Sequence, residues 1–90
     1  MKKTFIISYD LKNASDKDYE NLYLALREYG TFAHITESTW AIVTTEKAKE
    51  VRDKLVGVVP KGSTLIVIKS GGFAAWRNTI CSNEWLKKHL

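Results

Sequence analysis

Four stretches of the chain carry the apolar and β-branched residues that are typical of buried strands. Each stretch is bounded by glycine, by polar residues or by a helical pattern, and each is short enough for one strand. The stretches cover residues 4–10, 31–36, 39–45 and 63–69. Only Glu37 and Ser38 separate the second stretch from the third, which predicts a tight hairpin.

The segment between the first two strands predicts a helix over residues 16–29. Its apolar side chains recur three and four residues apart, so they form one stripe along the helix. Ser15 precedes the stripe as an N-cap, and Asp18 occupies the capping-box position. Gly30 follows the stripe, where a left-handed residue commonly ends a helix.

A second helix is predicted between the third and fourth strands, with Thr44 or Thr45 as its cap. A short final helix is predicted after Ser82. The element order is therefore β-α-β-β-α-β with an extra C-terminal segment, which is the order of a ferredoxin-like α+β fold with an antiparallel sheet. At 90 residues the chain is expected to form a single domain, 1–90, in which residues 71–90 are the extension.

Both faces of the predicted sheet carry apolar residues. In the first strand Phe5 and Ile7 point one way, whereas Ile6 and Asp10 point the other way. Two helices can cover only one face, and large apolar patches are rarely exposed on monomers. The second face therefore needs the C-terminal segment or a second copy of the chain, and we expect a symmetric homodimer.

The charge balance favours an anionic partner. The formal net charge is +4, with 14 Lys and Arg against 10 Asp and Glu. A basic protein of this kind attracts polyanions, so RNA or DNA is an expected partner. The basic residues are nevertheless spread along the chain, and extra lysines also serve solubility. A protein partner therefore stays open as an alternative.

Cysteine usage and hydropathy bear on the setting of the protein. Cys81 is the only cysteine, so there is no internal disulfide and no cysteine-rich zinc site. We therefore expect a reducing, cytoplasmic location. The first apolar run stops at Asp10, too early for a signal peptide, and no segment is long enough to span a membrane. We expect no association with a membrane.

Asp10 is the foremost candidate for chemistry. A carboxylate at the end of an apolar strand is either held by hydrogen bonds or kept for a cation, because burying an unpaired charge is costly. If two sheets pack about a two-fold axis, the Asp10 carboxylates of both copies would hold magnesium or manganese together with water. The alternative is that Asp10 caps the following loop through backbone N–H groups.

His34 and Ser38 are the other candidate catalytic residues. His34 lies in the middle of a strand and would act as a general base beside a substrate phosphate; a hydrogen-bonded histidine at an interface is the alternative. Ser38 lies at the hairpin tip. No Ser-His-Asp spacing supports a nucleophile there, so turn formation competes with a catalytic role.

Lys12 and Arg77 are candidate nucleic-acid contacts. Arg77 lies between Trp76 and Asn78, and a stacking ring, a guanidinium and an amide together suit single-stranded nucleic acid. The same three groups suit a dimer anchor, because Trp and Arg are enriched at interface hot spots. The Gly71-Gly72 pair has neither the spacing nor the lysine of a phosphate-binding loop.

Landmarks in the first half of the chain resemble a known family. They are the strand ending in Tyr9-Asp10, the helix closing on Tyr29-Gly30, and the element Ser38-Thr39-Trp40. Together they resemble the small CRISPR-associated adaptation protein and its relatives, the virulence-associated protein D ribonucleases. The second half matches in element order only, so the chain looks like a stand-alone, divergent member of this superfamily.

The resemblance implies a ferredoxin-like fold, a symmetric dimer and a role in antiviral defence. It also implies that Asp10 is the metal-site aspartate, with magnesium or manganese as cofactor, and that Ser38 and Trp40 lie near the active cleft. Some members of the family are described as metal-dependent nucleases, and others as scaffolds that hold DNA for an integrase.

Three functional hypotheses follow from the sequence. The first is a dimeric, metal-dependent endonuclease that uses Asp10. The second is a non-catalytic dimeric scaffold whose Lys and Arg side chains bind phosphates. The third is a protein-interaction subunit, which the unmatched aromatic C-terminal segment favours.

Overall fold

The strand β1 (Lys3–Asp10) lies inside a four-stranded antiparallel sheet and is paired on both sides. In the computed structural model, which describes residues 1–90, β1 pairs with β3 (Thr39–Thr44) and with β4 (Thr64–Lys69). The strand β2 (Phe32–Thr36) pairs with β3 and completes the order β2-β3-β1-β4. This sheet, with three helices, is consistent with the ferredoxin-like α+β fold that the sequence predicts.

The helices are α1 (Asp16–Arg27), α2 (Ala48–Val56) and α3 (Asn83–His89). The predicted cap of α1 is confirmed: Ser15 Oγ accepts a hydrogen bond from the Asp18 N–H at 3.3 Å, and the Asp18 carboxylate accepts one from the Ser15 N–H at 2.9 Å. No helix combines the length and the apolarity that crossing a bilayer requires.

The cap predicted for α2 is wrong. The N-cap is Lys47, whose N–H donates to the Glu50 carboxylate at 2.9 Å, rather than Thr44 or Thr45. The Thr44 hydroxyl instead accepts a hydrogen bond from the N–H of Glu46 at 3.2 Å. Thr44 therefore stabilises the turn before the helix, and the Glu50 side chain, not a threonine, forms the capping hydrogen bond of α2.

One face of the sheet packs under α1 and α2. Alternate residues of β1 lie on this face, and Phe5, Ile7 and Tyr9 are 6% exposed or less. Leu22 of α1 and Leu55 of α2 are fully buried in the same core. Burying a side chain of this size contributes about 1.5–3 kcal/mol, so this layer is the main source of stability.

The C-terminal segment covers part of the opposite face. Ala33 and Ala41 are paired across β2 and β3 on this face, and they are 5% and 0% exposed. The chain left to cover them is the C-terminal segment, in which Leu86 of α3 is 1% exposed. The N–H of Ile80 also donates to the carbonyl of Ile35 at 2.9 Å and joins this segment to β2.

A bulge in the β2–β3 hairpin creates that attachment point. His34 pairs with Trp40, but Thr36 pairs with Thr39, so Ile35 is an extra residue in β2. The predicted two-residue turn is present between the strands. Because of the bulge, Thr36 leaves the face that His34 occupies.

The β1–β4 side of the second face remains open. Ile66 and Ile68 alternate along β4 on this face, and each is 50% exposed. They pair with Ser8 and Ile6 of β1, so the three isoleucines form a strip, the open strip, at the edge of the sheet. The C-terminal segment therefore covers the β2–β3 side of the second face and leaves the β1–β4 side exposed. The sequence predicts a cover for the whole face.

We expect Leu86→Ala to lower the free energy of unfolding by about 2–5 kcal/mol, because it truncates a fully buried leucine. Urea unfolding followed by tryptophan fluorescence measures the loss. Leu24→Ala is the matched control, since Leu24 is 55% exposed and its truncation should cost less than about 1 kcal/mol. Equal effects of the two substitutions would contradict the covering role of α3.

Candidate functional site

Asp10 is the last residue of β1, and its carboxylate is exposed to solvent. The carboxylate accepts no hydrogen bond from the following loop. The loop is held instead by Ser63, whose hydroxyl accepts a hydrogen bond from the N–H of Lys12 at 2.9 Å. Of the two interpretations of Asp10, the capping one is therefore absent from the structure, and the carboxylate is free to interact with a ligand.

A cavity of about 560 Å³ lies beside Asp10. Carboxylates and phenols dominate its lining, which consists of Tyr9, Asp10, Leu11, Asp16, Tyr19, Glu20, Tyr23, Glu37 and Ser38. The structure thus brings Asp10, at the end of β1, and Ser38, in the turn between β2 and β3, to one cavity. The backbone fixes their relation, because the N–H of Tyr9 donates to the carbonyl of Ser38 at 3.1 Å.

Tyr9 anchors the hairpin tip to this cavity. Its hydroxyl donates to the carbonyl of Glu37 at 3.1 Å. Burial raises the pKa of the Tyr9 phenol, and the neighbouring phenol of Tyr23 raises it further. Tyr9 therefore remains a protonated hydrogen-bond donor at neutral pH and holds the turn in place.

His34 is packed among aromatic rings on the helix-covered side of the sheet. Its ring stacks on Trp40 at a centroid distance of 4.5 Å and an interplanar angle of 18°. Its Nε2 lies 3.1 Å from the carbonyl oxygen of Glu37. A carbonyl oxygen only accepts, so Nε2 carries the proton and donates, which leaves Nδ1 as the only basic nitrogen. His34 lies outside the cavity lining and corresponds to the hydrogen-bonded alternative.

Trp40 lies behind the cavity and is 2% exposed. It packs against the cavity-lining residue Tyr23, whose ring centroid is 5.3 Å from its own. The indole N–H of Trp40 is buried and has no hydrogen-bond partner. Leaving such a group unpaired costs about 1–3 kcal/mol. Three aromatic rings, those of Tyr23, Phe32 and His34, pack around the indole.

The two candidate phosphate contacts, Lys12 and Arg77, lie outside the lining of the cavity. Lys12 is exposed and follows Asp10 by two residues. Arg77 is exposed in the loop that leads to α3 and does not line the cavity. The neighbouring Trp76 donates its indole N–H to the side chain of Asn83 at 3.0 Å, which ties this loop to the start of α3.

The carboxylates around the cavity do not converge on one point. No group of three or more His, Cys, Asp and Glu side chains is placed to hold a metal ion within one chain. Magnesium usually keeps several waters and is bound by one or two carboxylates together with substrate phosphates. Asp10 therefore fits such a site only in combination with groups from a second molecule.

The sequence did not single out the tyrosines of α1 as residues of a site. Tyr19 and Tyr23 lie four residues apart and line the cavity, as do Asp16 and Glu20 on the same helix. The spacing was visible, but tyrosines in an apolar stripe indicate a core, and charged residues four apart indicate a solvated face. Only the packing of α1 beside the hairpin tip reveals the cavity.

A second concave region lies between α1 and the segment that follows α2. At one end, Glu46 accepts hydrogen bonds from the hydroxyl of Tyr29 at 3.0 Å and from the ammonium group of Lys54. Lys54 lowers the pKa of the Glu46 carboxyl, and burial together with Glu46 raises the pKa of the Tyr29 phenol. Glu46 therefore remains ionised in an ordered charge network.

Comparison with known proteins supports the fold. No protein-family model and no curated protein matches the chain. Among solved structures, the hypothetical protein TT1823 from Thermus thermophilus is similar, with a TM-score of 0.69 and 17% sequence identity over 90% of this chain and 98% of that chain. At this identity the likeness concerns the fold alone, so the function has to be argued from the residues.

Proposed function

We propose that the protein is a nucleic-acid-associated homodimer that cleaves phosphodiester bonds with a magnesium or manganese ion held by Asp10 of both copies. One observation carries the proposal: the unbonded carboxylate of Asp10 lies on the same sheet face as the exposed Ile66 and Ile68. The resemblance to CRISPR-associated and virulence-associated nucleases supports it, and the chain would be a stand-alone relative of them.

The open strip supports a second copy of the chain as the cover of this face. Its isoleucines present an apolar surface at an edge of the sheet, and such surfaces commonly mark an interface between proteins. In a two-fold symmetric contact the same patch serves both copies. Because Asp10 pairs with Thr64 in the register that aligns Ile6 with Ile68, its carboxylate lies at one end of that patch.

A shared ion would supply the positive charge that neutralises a phosphodiester and lowers the pKa of an attacking water. Asp10 would hold that ion, and the two carboxylates would lose their mutual repulsion on binding it. The hydroxyl of Ser38 lines the same cavity and would donate a hydrogen bond to a phosphate oxygen. Lys12 would attract the neighbouring phosphate. His34 would not contact the phosphate, but its hydrogen bond to the carbonyl of Glu37 would help to hold the turn that contains Ser38.

We expect Asp10→Asn to abolish metal-dependent cleavage while the protein remains folded, because the amide keeps the shape of the side chain and loses the charge that binds the ion. The measurement compares both proteins on labelled RNA and DNA with magnesium, with manganese and with a chelator. Circular dichroism checks the fold.

Asp16→Asn is the matched control for this experiment. It makes the same chemical change in the same cavity, but on α1 instead of β1. Cleavage should survive this substitution. Cleavage that persists in Asp10→Asn, or that is absent from the wild type under every condition, would refute the nuclease.

We expect Ile68→Asp to raise the dissociation constant of the dimer by at least about tenfold, because it places a charge against an apolar surface. Sedimentation equilibrium over a range of protein concentrations measures this constant. Val56→Asp is the control, since Val56 is also about half exposed (54%) but lies on α2. A wild type that stays monomeric at all concentrations would rule out the dimer.

A non-catalytic nucleic-acid-binding scaffold is the second candidate. The observation that favours it is the formal net charge of +4, which attracts polyanions without any need for a metal. A scaffold needs only Lys and Arg side chains that contact phosphates, and Lys12 and Arg77 are both exposed for such contacts.

For either candidate we expect binding to nucleic acid to weaken steeply with salt, because each neutralised phosphate releases counterions. Lys12→Gln and Arg77→Gln should each reduce the slope of log K against log salt by about 1. Fluorescence anisotropy with labelled oligonucleotides measures the slopes, and Lys49→Gln on α2 is the control. Slopes that do not change would exclude both residues as phosphate contacts.

A further inference from the structure

A groove of about 800 Å³ runs along the outer surface of the helix layer. It lies between the side of α1 that bears Leu24 and Ala25 and the segment after α2 that contains Val58, Val59 and Pro60. The groove lies on the side of the sheet opposite the open strip. A second copy of the chain bound to the open strip would therefore leave the groove accessible.

The floor of the groove is apolar beyond what the core requires. The buried stripe of α1 is formed by Leu22 and Leu26, whereas Leu24 is 55% exposed and faces the groove. Val58 and Val59 are only partly buried against the core. A single exposed leucine is ordinary, but one that shares a concave surface with further apolar residues marks a contact surface.

The rim of the groove is acidic although the chain is basic. Asp18, Glu28 and Glu46 line it, and the one basic residue in the lining, Lys54, is paired with Glu46. The excess negative charge is that of Glu28 and of Asp18, whose Oδ2 also accepts hydrogen bonds from Ser15. The local balance is therefore negative in a protein whose formal net charge is +4. Such a rim repels phosphates and attracts cationic groups.

Glu28 occupies a position where its charge does not help the helix. It is the C-cap residue of α1, at the end where the helix dipole is negative. A carboxylate at that end destabilises a helix by about 0.3–1 kcal/mol, whereas a lysine would stabilise it. The charge of Glu28 therefore does not stabilise the helix, and the carboxylate is available to a cationic ligand in the groove.

The spacing of the carboxylates along the rim indicates how long a ligand of the groove has to be. Asp18 and Glu28 are ten residues apart on α1, which corresponds to about 15 Å along the helix axis. That distance is spanned by about three turns of a second helix. It is too long for one small ammonium ion to bridge, and the apolar floor between the carboxylates suits aliphatic side chains.

We propose that this groove binds a basic amphipathic helix of a protein partner, with its apolar face on Leu24 and Val58 and its Lys or Arg side chains against Asp18 and Glu28. Helices of this kind bind apolar grooves through side chains three and four residues apart. The proposal is independent of the nuclease and scaffold hypotheses, since it uses neither Asp10 nor the open strip.

The test uses two synthetic amphipathic peptides of about 14 residues, long enough to span the groove. One contains Leu and Lys at helical spacing, and in the other every Lys is replaced by Glu. Isothermal titration calorimetry should show one Leu/Lys peptide bound per chain and no binding of the Leu/Glu peptide. Amide chemical shifts should change at Leu24 and Val58.

Glu28→Gln should weaken peptide binding by about 2- to 5-fold, as expected for one solvent-accessible charge pair. It should at the same time leave the melting temperature unchanged or raise it, because a carboxylate leaves the negative end of the helix. Leu24→Lys should weaken binding by at least about tenfold through lost apolar contact and repulsion.

Glu84→Gln is the matched control, since it makes the same change on α3, far along the chain from the groove residues. Its affinity for the peptide should equal that of the wild type. Any of three results would overturn the proposal: no binding of the Leu/Lys peptide, equal losses in Glu28→Gln and Glu84→Gln, or chemical shift changes confined to Ile66 and Ile68.

Discussion

The alternation of side chains along β1 is the constraint on which the rest of the structure depends. Because β1 is hydrogen-bonded to a strand on each side, a slip of one residue would exchange its two faces. Phe5 and Ile7 therefore have to lie under the helices, and Ile6 and Asp10 have to lie on the other face. The packing of the C-terminal segment, the open strip and the exposed carboxylate all follow from that assignment.

The parts of the fold that were predictable from the sequence rest on local interactions. The Ser15 cap and the two-residue hairpin turn each depend on residues adjacent in the chain, and both were predicted. The cap of α2 was not, because the Thr44 hydroxyl serves the turn and Lys47 has no side-chain acceptor. The bulge at Ile35 accepts a hydrogen bond from Ile80 in the distant C-terminal segment, a pairing that no local pattern reveals.

The candidate site was predictable only in part, because it also combines residues that are distant in the chain. Asp10 and Ser38 were recognisable from their places at a strand end and a turn, and strand pairing brings both to one cavity. Tyr19 and Tyr23 share the helical spacing of the core leucines, so the sequence does not distinguish rings that line a cavity from rings that fill the core. The fixed proton of His34 likewise depends on a carbonyl that only the folded turn presents.

The two surfaces without a partner in one chain differ in the ligands they can accept. The open strip is uncharged, and Asp10 lies at one end of it, whereas the groove on the opposite side combines an apolar floor with carboxylates. The acidic rim of the groove repels phosphates, whereas the open strip offers an apolar contact to a second molecule. A dimer formed through its sheet faces would present two grooves on its outside, so a partner with two basic helices would bind it with the added strength of a bivalent contact.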